Sequence, residues 1–240
     1  MKFILTISAL DPSGGAGVSA DIKVARLLNF HPCSVLTALT VQNSSKLFSI
    51  YPVNPDILKE QIETLVLEFR FSAVKIGVVP DIRIAKTISS FLKEFECPKV
   101  LDPVMEAGVG GKLGDKEAYE HLMRFVNVVT PNFSEAKLFG NSNDPENLAR
   151  EIAERYGCNV VITGGELGGK DYVYENGKIY TVEADLIPGN FHGTGCVYST
   201  ALSCYLTKDS LEDSARKARI FVLESVKKGF KVLKRIFVNP

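Results

Sequence analysis

Short apolar runs rich in β-branched residues alternate along this chain with longer stretches whose apolar positions recur every three or four residues. The runs at 3–8, 34–40, 73–76, 99–101, 126–130 and 159–162 predict strands. Residues 171–174 and 178–182 predict a hairpin, because Asn176-Gly177 between them suits a tight turn that needs positive φ angles. Helices are expected over 16–29, 55–69, 81–95, 115–125, 133–139, 145–156, 194–207 and 210–235, with 44–53 as a small excursion, a strand or flap. A repeated strand-then-helix order is the pattern of an α/β protein, a mostly parallel sheet flanked by helices. No linker, composition shift, repeat or low-complexity tract divides the chain, so 1–240 is expected to be one domain.

Composition narrows the function classes. The 240 residues are 45% hydrophobic and 23% charged, ordinary for a globular domain. With 28 basic and 28 acidic residues, the chain has no net charge to attract nucleic acid or an anionic membrane, and the expected partners are small molecules. Lysines 227, 228, 231 and 234 on the final helix read as a solvated face. Five widely spaced cysteines (33, 97, 158, 196 and 204), odd in number and without a CxxC pair, argue against a disulfide framework and a zinc site and suit a reducing cytoplasm. The chain starts on a strand-like run rather than a signal sequence, and no apolar run approaches the ~20 residues of a membrane span.

Two glycine loops carry the first chemical signal. Asn190-Phe191-His192-Gly193-Thr194-Gly195-Cys196 precedes a small-residue helix, so glycine backbone and helix N–H groups would meet an anion with the dipole behind them. Phosphate is the natural guest, and a thiol at Cys196 in that first turn is expected to have a lowered pKa. The plainer reading is a glycine turn before a helix with a buried cysteine. The second loop, Asp11-Pro12-Ser13-Gly14-Gly15-Ala16-Gly17, lies between a strand and a helix. It matches neither the dinucleotide fingerprint nor a P-loop, and a turn shaped only by strand-to-helix packing is its plainer reading.

Ligands of open α/β sheets bind beyond the carboxyl ends of the strands. Gln42-Asn43, Lys75-Ile76-Gly77, Asp102-Pro103-Val104-Met105 and Thr130-Pro131-Asn132 with Glu135 all fall there. Each alone has a structural reading; Asn132 and Glu135, for instance, form an acceptable helix cap and capping-box pair. Together they gather carboxylates, an amide and a thiol around two phosphate-sized loops, which suits magnesium-dependent phosphoryl transfer. His192 is given no chemical step beyond capping or orienting its loop, and His31 and His121 read as surface or turn residues.

The ordered set D-P-S-G-G-A-G, A-D, T-A-L-T-x-Q-N, V-K-I-G, D-P-V-M, T-P-N-x-x-E-A and H-G-T-G-C resembles the hydroxymethylpyrimidine/phosphomethylpyrimidine kinases of thiamine biosynthesis, in the ribokinase-like superfamily. The resemblance runs from the first strand to about residue 205. It implies a three-layer αβα fold with a cleft for ATP, Mg2+ and a pyrimidine alcohol. Gly193, Thr194, Gly195 and Cys196 would form the anion hole for the transferring phosphoryl, with Cys196 where related sugar kinases keep an aspartate base. Gln42 would grip the aminopyrimidine, whose N-C-NH2 edge a primary amide can match. Asp11, Gly14, Gly15, Ala16, Gly17 and Val104 would wall the substrate pocket. Asn132, Thr163, Gly165 and Thr194 would serve the nucleotide, and Glu135 and Asp102 the metal.

The sequence departs from the pattern in three places. Thr163-Gly164-Gly165-Glu166 stands where the family commonly shows K-G-G-H, removing a lysine from the nucleotide phosphates. Glu106-Ala107-Gly108-Val109-Gly110-Gly111 replaces a small-Ser-Gly-Asp stretch, and an unpaired Glu106 would disfavour a phosphorylated substrate. Ala9 and Leu10 replace the usual Gly-Ser. A pyridoxal/pyridoxine kinase is the near alternative, a non-catalytic pyrimidine-binding regulatory protein the alternative of another class. A homo-oligomer is expected.

Overall fold

The computed structural model describes residues 1–185, 187 and 191–227. Nine strands form one sheet: β1 (Lys2–Leu10), β2 (Phe30–Gln42), β3 (Leu47–Pro52), β4 (Phe71–Ile76), β5 (Lys99–Leu101), β6 (Val128–Val129), β7 (Asn159–Ile162), β8 (Lys170–Glu175) and β9 (Lys178–Glu183). Their order is β3-β2-β1-β4-β5-β6-β7-β8-β9. The five pairs from β2 to β7 are parallel, and β3, β8 and β9 add antiparallel edges.

The helices are α1 (Gly17–Leu27), α2 (Pro55–Glu68), α3 (Ile82–Leu92), α4 (Lys116–Leu122), α5 (Phe133–Ala136), α6 (Pro145–Tyr156), α7 (Thr194–Tyr205) and α8 (Leu211–Lys227). Side chains alternate across the strands, and the alternation sorts the helices into two layers. Leu101, Val129, Val160 and Ile162 pack with Leu58, Ile88, Leu122 and Ile152 of α2, α3, α4 and α6 on one face. Their neighbours Val100, Val128 and Val161 pack with Val24, Leu202 and Ala218 of α1, α7 and α8 on the other. This is the expected three-layer αβα arrangement.

Several boundaries differ from the sequence reading. The excursion at 44–53 is a true strand, paired to β2 in register Leu39↔Tyr51. The helix expected over 133–139 spans four residues, and the one over 115–125 tightens into a 3₁₀ turn at Met123–Phe125. The strand expected at 126–130 shortens to two residues, Val128–Val129. Asn190 and the helix beyond 227 lie outside the described residues.

α7 is buried along nearly its whole length, from Cys196 to Cys204. A buried helix this rich in Ser and Thr must satisfy its hydroxyls, and Ser199 and Ser203 do so by donating to the carbonyls of Gly195 and Ser199 one turn back. The helix is thereby fixed against the sheet with its N-terminus at the strand ends.

Candidate active site

In the sheet, β2 lies on one side of β1 and β4 on the other, so the chain reverses its direction of travel there and a crevice opens beyond the carboxyl ends. Asp11 follows β1. Its carboxylate accepts N–H bonds from Ser13 at 2.8 Å and Ala16 at 2.9 Å, and lies 3.0 Å from His192 Nε2. Burial opposes the Asp11 charge, but the bonds from His192, Ser13 and Gln42 outweigh it and hold the carboxyl well below the ordinary range. The 11–17 loop thus folds around its own anion and is tied to the second glycine loop.

The two loops meet backbone to backbone. Gly193 has φ +83°, and a Cβ there would run into the Gly15 carbonyl; Gly17, at φ +55°, faces the Ala9 carbonyl in the same way. Neither position admits a side chain without moving a neighbour. Gly193 is the N-cap of α7, and no side chain caps this helix. Thr194, Gly195 and Cys196, its opening residues, border the crevice, so their N–H groups and the helix dipole meet whatever anion enters.

Under this helix end lies a buried charge network. Lys75, at the end of β4, donates to Asp21 of α1 at 2.9 and 3.1 Å and stands 4.0 Å from Asp102 after β5. Thr200 donates to Asp21 at 2.7 Å and Ser199 to Asp102 at 3.0 Å, which ties α7 into the network. Burial works against the Lys75 ammonium, yet the carboxylates of Asp21 and Asp102 outweigh it and keep it protonated.

Cys196 corrects one expectation. Its thiol is not lowered by the helix end: burial pushes it up to about 12, with Lys75 lowering and Asp102 and Asp21 raising it. The thiol is 7% exposed, and the loss of hydration of its charged form is the dominant effect. Cys196 is a thiol at neutral pH in the free protein.

Asn132 caps α5, accepting the Glu135 N–H at 2.7 Å, while Glu135 accepts the Asn132 N–H at 3.0 Å: both halves of the capping box are present. Burial first, then the charge of Asp102, pushes the Glu135 carboxyl up to about 8. Asp102 and Glu135 both line the cavity described below, and their carboxylate oxygens are hard donors of the kind a divalent cation takes. Among the described residues no group of three or more His, Cys, Asp or Glu is gathered as a complete metal site.

A cavity of about 840 Å³ joins these parts. Asp11, Ala16, Gly17, Gln42, Val104, Asp102, Asn132, Glu135, Thr163, Gly165 and the 193–196 loop all line it. Gly14 and Gly15, expected in the pocket wall, do not. Gly14 is held by Lys23, which donates to its carbonyl at 2.6 Å, and a Cβ on Gly15 would meet the His192 ring. Gln42 Oε1 is buried without a hydrogen-bond partner among the described residues.

Sequence reasoning placed Lys75 at a strand end and Asp21 in the A-D motif without giving either a role, and passed over Ser199 and Thr200. A lysine within the apolar run 73–76 was the available signal, since a charge there is buried and must be paired. Arg219, which also lines the cavity, had none, because α8 carries several basic residues of which only contacts distinguish this one.

The family description phosphomethylpyrimidine kinase matches residues 11–238. A hydroxymethylpyrimidine/phosphomethylpyrimidine kinase from Aquifex aeolicus is 34% identical over 95% of both chains. The crystal structure of a phosphomethylpyrimidine kinase from Clostridium difficile superposes with a TM-score of 0.79 at 29% identity, covering 94% of this chain and 100% of that one. A Staphylococcus aureus pyridoxal kinase in complex with ADP gives a TM-score of 0.84 at 28% identity, over 95% and 88% of the two chains. The chain belongs to the phosphomethylpyrimidine kinase family of phosphotransferases.

Proposed function

We propose that this enzyme transfers the γ-phosphoryl of ATP to the hydroxymethyl oxygen of 4-amino-5-hydroxymethyl-2-methylpyrimidine, and then phosphorylates the monophosphate, in thiamine biosynthesis. The observation that carries this reading is the juxtaposition of Gln42 and α7. A buried amide oxygen without a partner, in the same cavity as an uncapped helix N-terminus, offers an acceptor for a ring amine and donors for a phosphoryl group.

In this reading Gln42 orients the ring, Ala16, Gly17 and Val104 pack on it, and the N–H groups of 193–196 receive charge that develops on the phosphoryl oxygens. Phosphoryl transfer passes through a loose transition state in which the alcohol keeps its proton until late, so a neutral Cys196 thiol would take the alcohol proton on sulfur as it hands its own proton to an oxygen of the transferred phosphoryl group. Asn132, Thr163, Gly165 and Thr194 contact the nucleotide. Glu135 and Asp102 would hold Mg2+, which supplies charge neutralisation between the β- and γ-phosphates. Metal binding requires the Glu135 carboxylate, so titrating Mg2+ into the ADP-bound protein at pH 7 is expected to release a proton, and Glu135→Gln to release none.

Glu106 is exposed, its backbone bridged to Lys112, so water screens its charge and a second phosphorylation is compatible with it. The deciding experiment is a magnesium-ATP coupled assay on the hydroxymethylpyrimidine, its monophosphate and pyridoxine, with product masses. Turnover on both pyrimidines is expected. Preference for pyridoxine would move the assignment to vitamin B6, a second reading favoured by the TM-score of 0.84 to a pyridoxal kinase. Tight binding without product would make the protein a non-catalytic binder.

The exposed apolar pair Leu39 and Tyr51 on β2 and β3, with Val41 beside them, supports a homo-oligomer through this edge. Leu39→Asp should lower the mass seen by light scattering. Five free cysteines support a cytoplasmic location, and among the described residues no helix is long and apolar enough to cross a membrane.

A further inference from the structure

Arg219 is a buried charge that the reaction as proposed leaves unused. It lies on α8, 7% exposed, and lines the same cavity as Thr163 and Gly165. Its Nη1 stands 3.7 Å from Asp171 Oδ1, beyond hydrogen-bond length, while Nε and Nη2 are buried with no hydrogen-bond partner among the described residues.

The surroundings say which ligand would use those donors. Asp171 accepts the Gly164 N–H at 2.6 Å, so the guanidinium is tethered through one carboxylate to the turn 163–166. Glu166 of the same turn is already engaged by the N–H and hydroxyl of Ser134, both at 2.8 Å. Beyond Arg219, Val222 and Val226 continue the cavity wall as apolar surface. A planar, permanently charged group with free donors beside an apolar wall is suited to an anion joined to a flat, weakly polar body.

We propose that Arg219 is a nucleotide-binding residue that holds the phosphate chain of ATP, supplying positive charge to it from α8. This deepens the kinase reading and rests on it. A purely structural role, bracing α8 to β8 through Asp171, would instead weaken all ligands alike.

Calorimetric binding of ADP and adenosine to the wild type, Arg219→Gln and Arg219→Lys separates the two. Arg219→Gln should weaken ADP about 30-fold, the value of one or two charge-assisted hydrogen bonds, and raise the KM for ATP similarly. Adenosine affinity and the KM for the pyrimidine should stay near wild type, the melting temperature should fall because Asp171 loses its facing cation, and Arg219→Lys should recover part of the ADP affinity. A folded Arg219→Gln that binds ADP like wild type would overturn the proposal, as would equal losses for ADP and adenosine. If Arg219→Gln does not fold, Arg219→Lys decides alone: selective weakening of ADP supports the contact, and unchanged or uniformly weakened binding refutes it. Wild-type protein that binds neither ligand would sink the kinase reading itself.

Discussion

The loop at 11–17 closes on its own carboxylate, whereas the loop at 191–196 ends on Gly193 and leaves the first turn of α7 without a side-chain cap. Both are glycine-rich and both enter helices on the same face of the sheet. In the first, Asp11 takes the N–H groups of Ser13 and Ala16, and the loop becomes a rigid wall. In the second, no side chain caps the helix, and Asp102 beneath it is engaged by the Ser199 hydroxyl rather than by the opening N–H groups. Glycine in such a loop therefore does not by itself mark an anion site; what matters is whether the protein has already supplied the anion. His192 joins the two, reaching from the open loop to the closed one at 3.0 Å.

The comparison is broken most severely at Gly193. Gly193→Ala places a Cβ against the Gly15 carbonyl and disfavours φ +83°. The helix end must shift, and kcat is expected to fall about 10³-fold, the scale of a lost oxyanion donor, measured under saturating ATP and pyrimidine. A variant within tenfold of wild type would show that the open loop is not the phosphoryl site.

Asp11→Ala tests the closed loop. Two backbone donors and His192 lose their acceptor, and stability should drop by on the order of 3 kcal/mol in denaturant titrations. Adding acetate or phosphate would not restore it if the carboxylate is needed as a tethered group.

Cys196→Ser should lower kcat by about 10²-fold with little change in either KM, since general acid–base contributions begin at that scale. An unchanged kcat between pH 6 and 9 would remove Cys196 from proton transfer while leaving the anion loop intact.

The smallest effect is a pH slope. Glu135 has its carboxyl raised from 4.5 to about 8, so the folded protein holds a proton that the unfolded chain has released. Stability contributed by that proton is present below about pH 4.5 and lost as pH rises through about 8, at no more than about 1.4 kcal/mol per unit. Glu135→Gln should flatten melting temperature against pH across that window. A profile as steep as wild type would assign the slope to another group, such as Asp171, which burial pushes up to about 6.

Much of the architecture was legible from pattern alone. Buried parallel strands read as continuous apolar runs, as in β7, where Val160, Val161 and Ile162 are all buried. Element ends were less legible, because short pieces such as β6 and α5 are fixed by neighbours rather than by propensity: Asn132 bridges to Thr163, and Glu135 receives the Asn132 N–H. The candidate site was legible where chemistry sits at strand ends in recognisable motifs, as with Gln42, Asp102 and Asn132. It was not legible where a residue's meaning depends on what is missing around it, as with the unpartnered nitrogens of Arg219.

By itself, then, the sequence determined the layering of helices on a parallel sheet, the two glycine loops and the polar groups at the strand ends, because period and residue type are local properties. Only the tertiary structure decided that Gly14 and Gly15 stand outside the cavity, that the Cys196 thiol is raised rather than lowered, and that Lys75, Asp21 and Asp102 form one buried network beneath α7. Burial and charge pairing set those outcomes. Both depend on groups brought together from α1, β4, β5 and α7, and no local pattern encodes the distance between them.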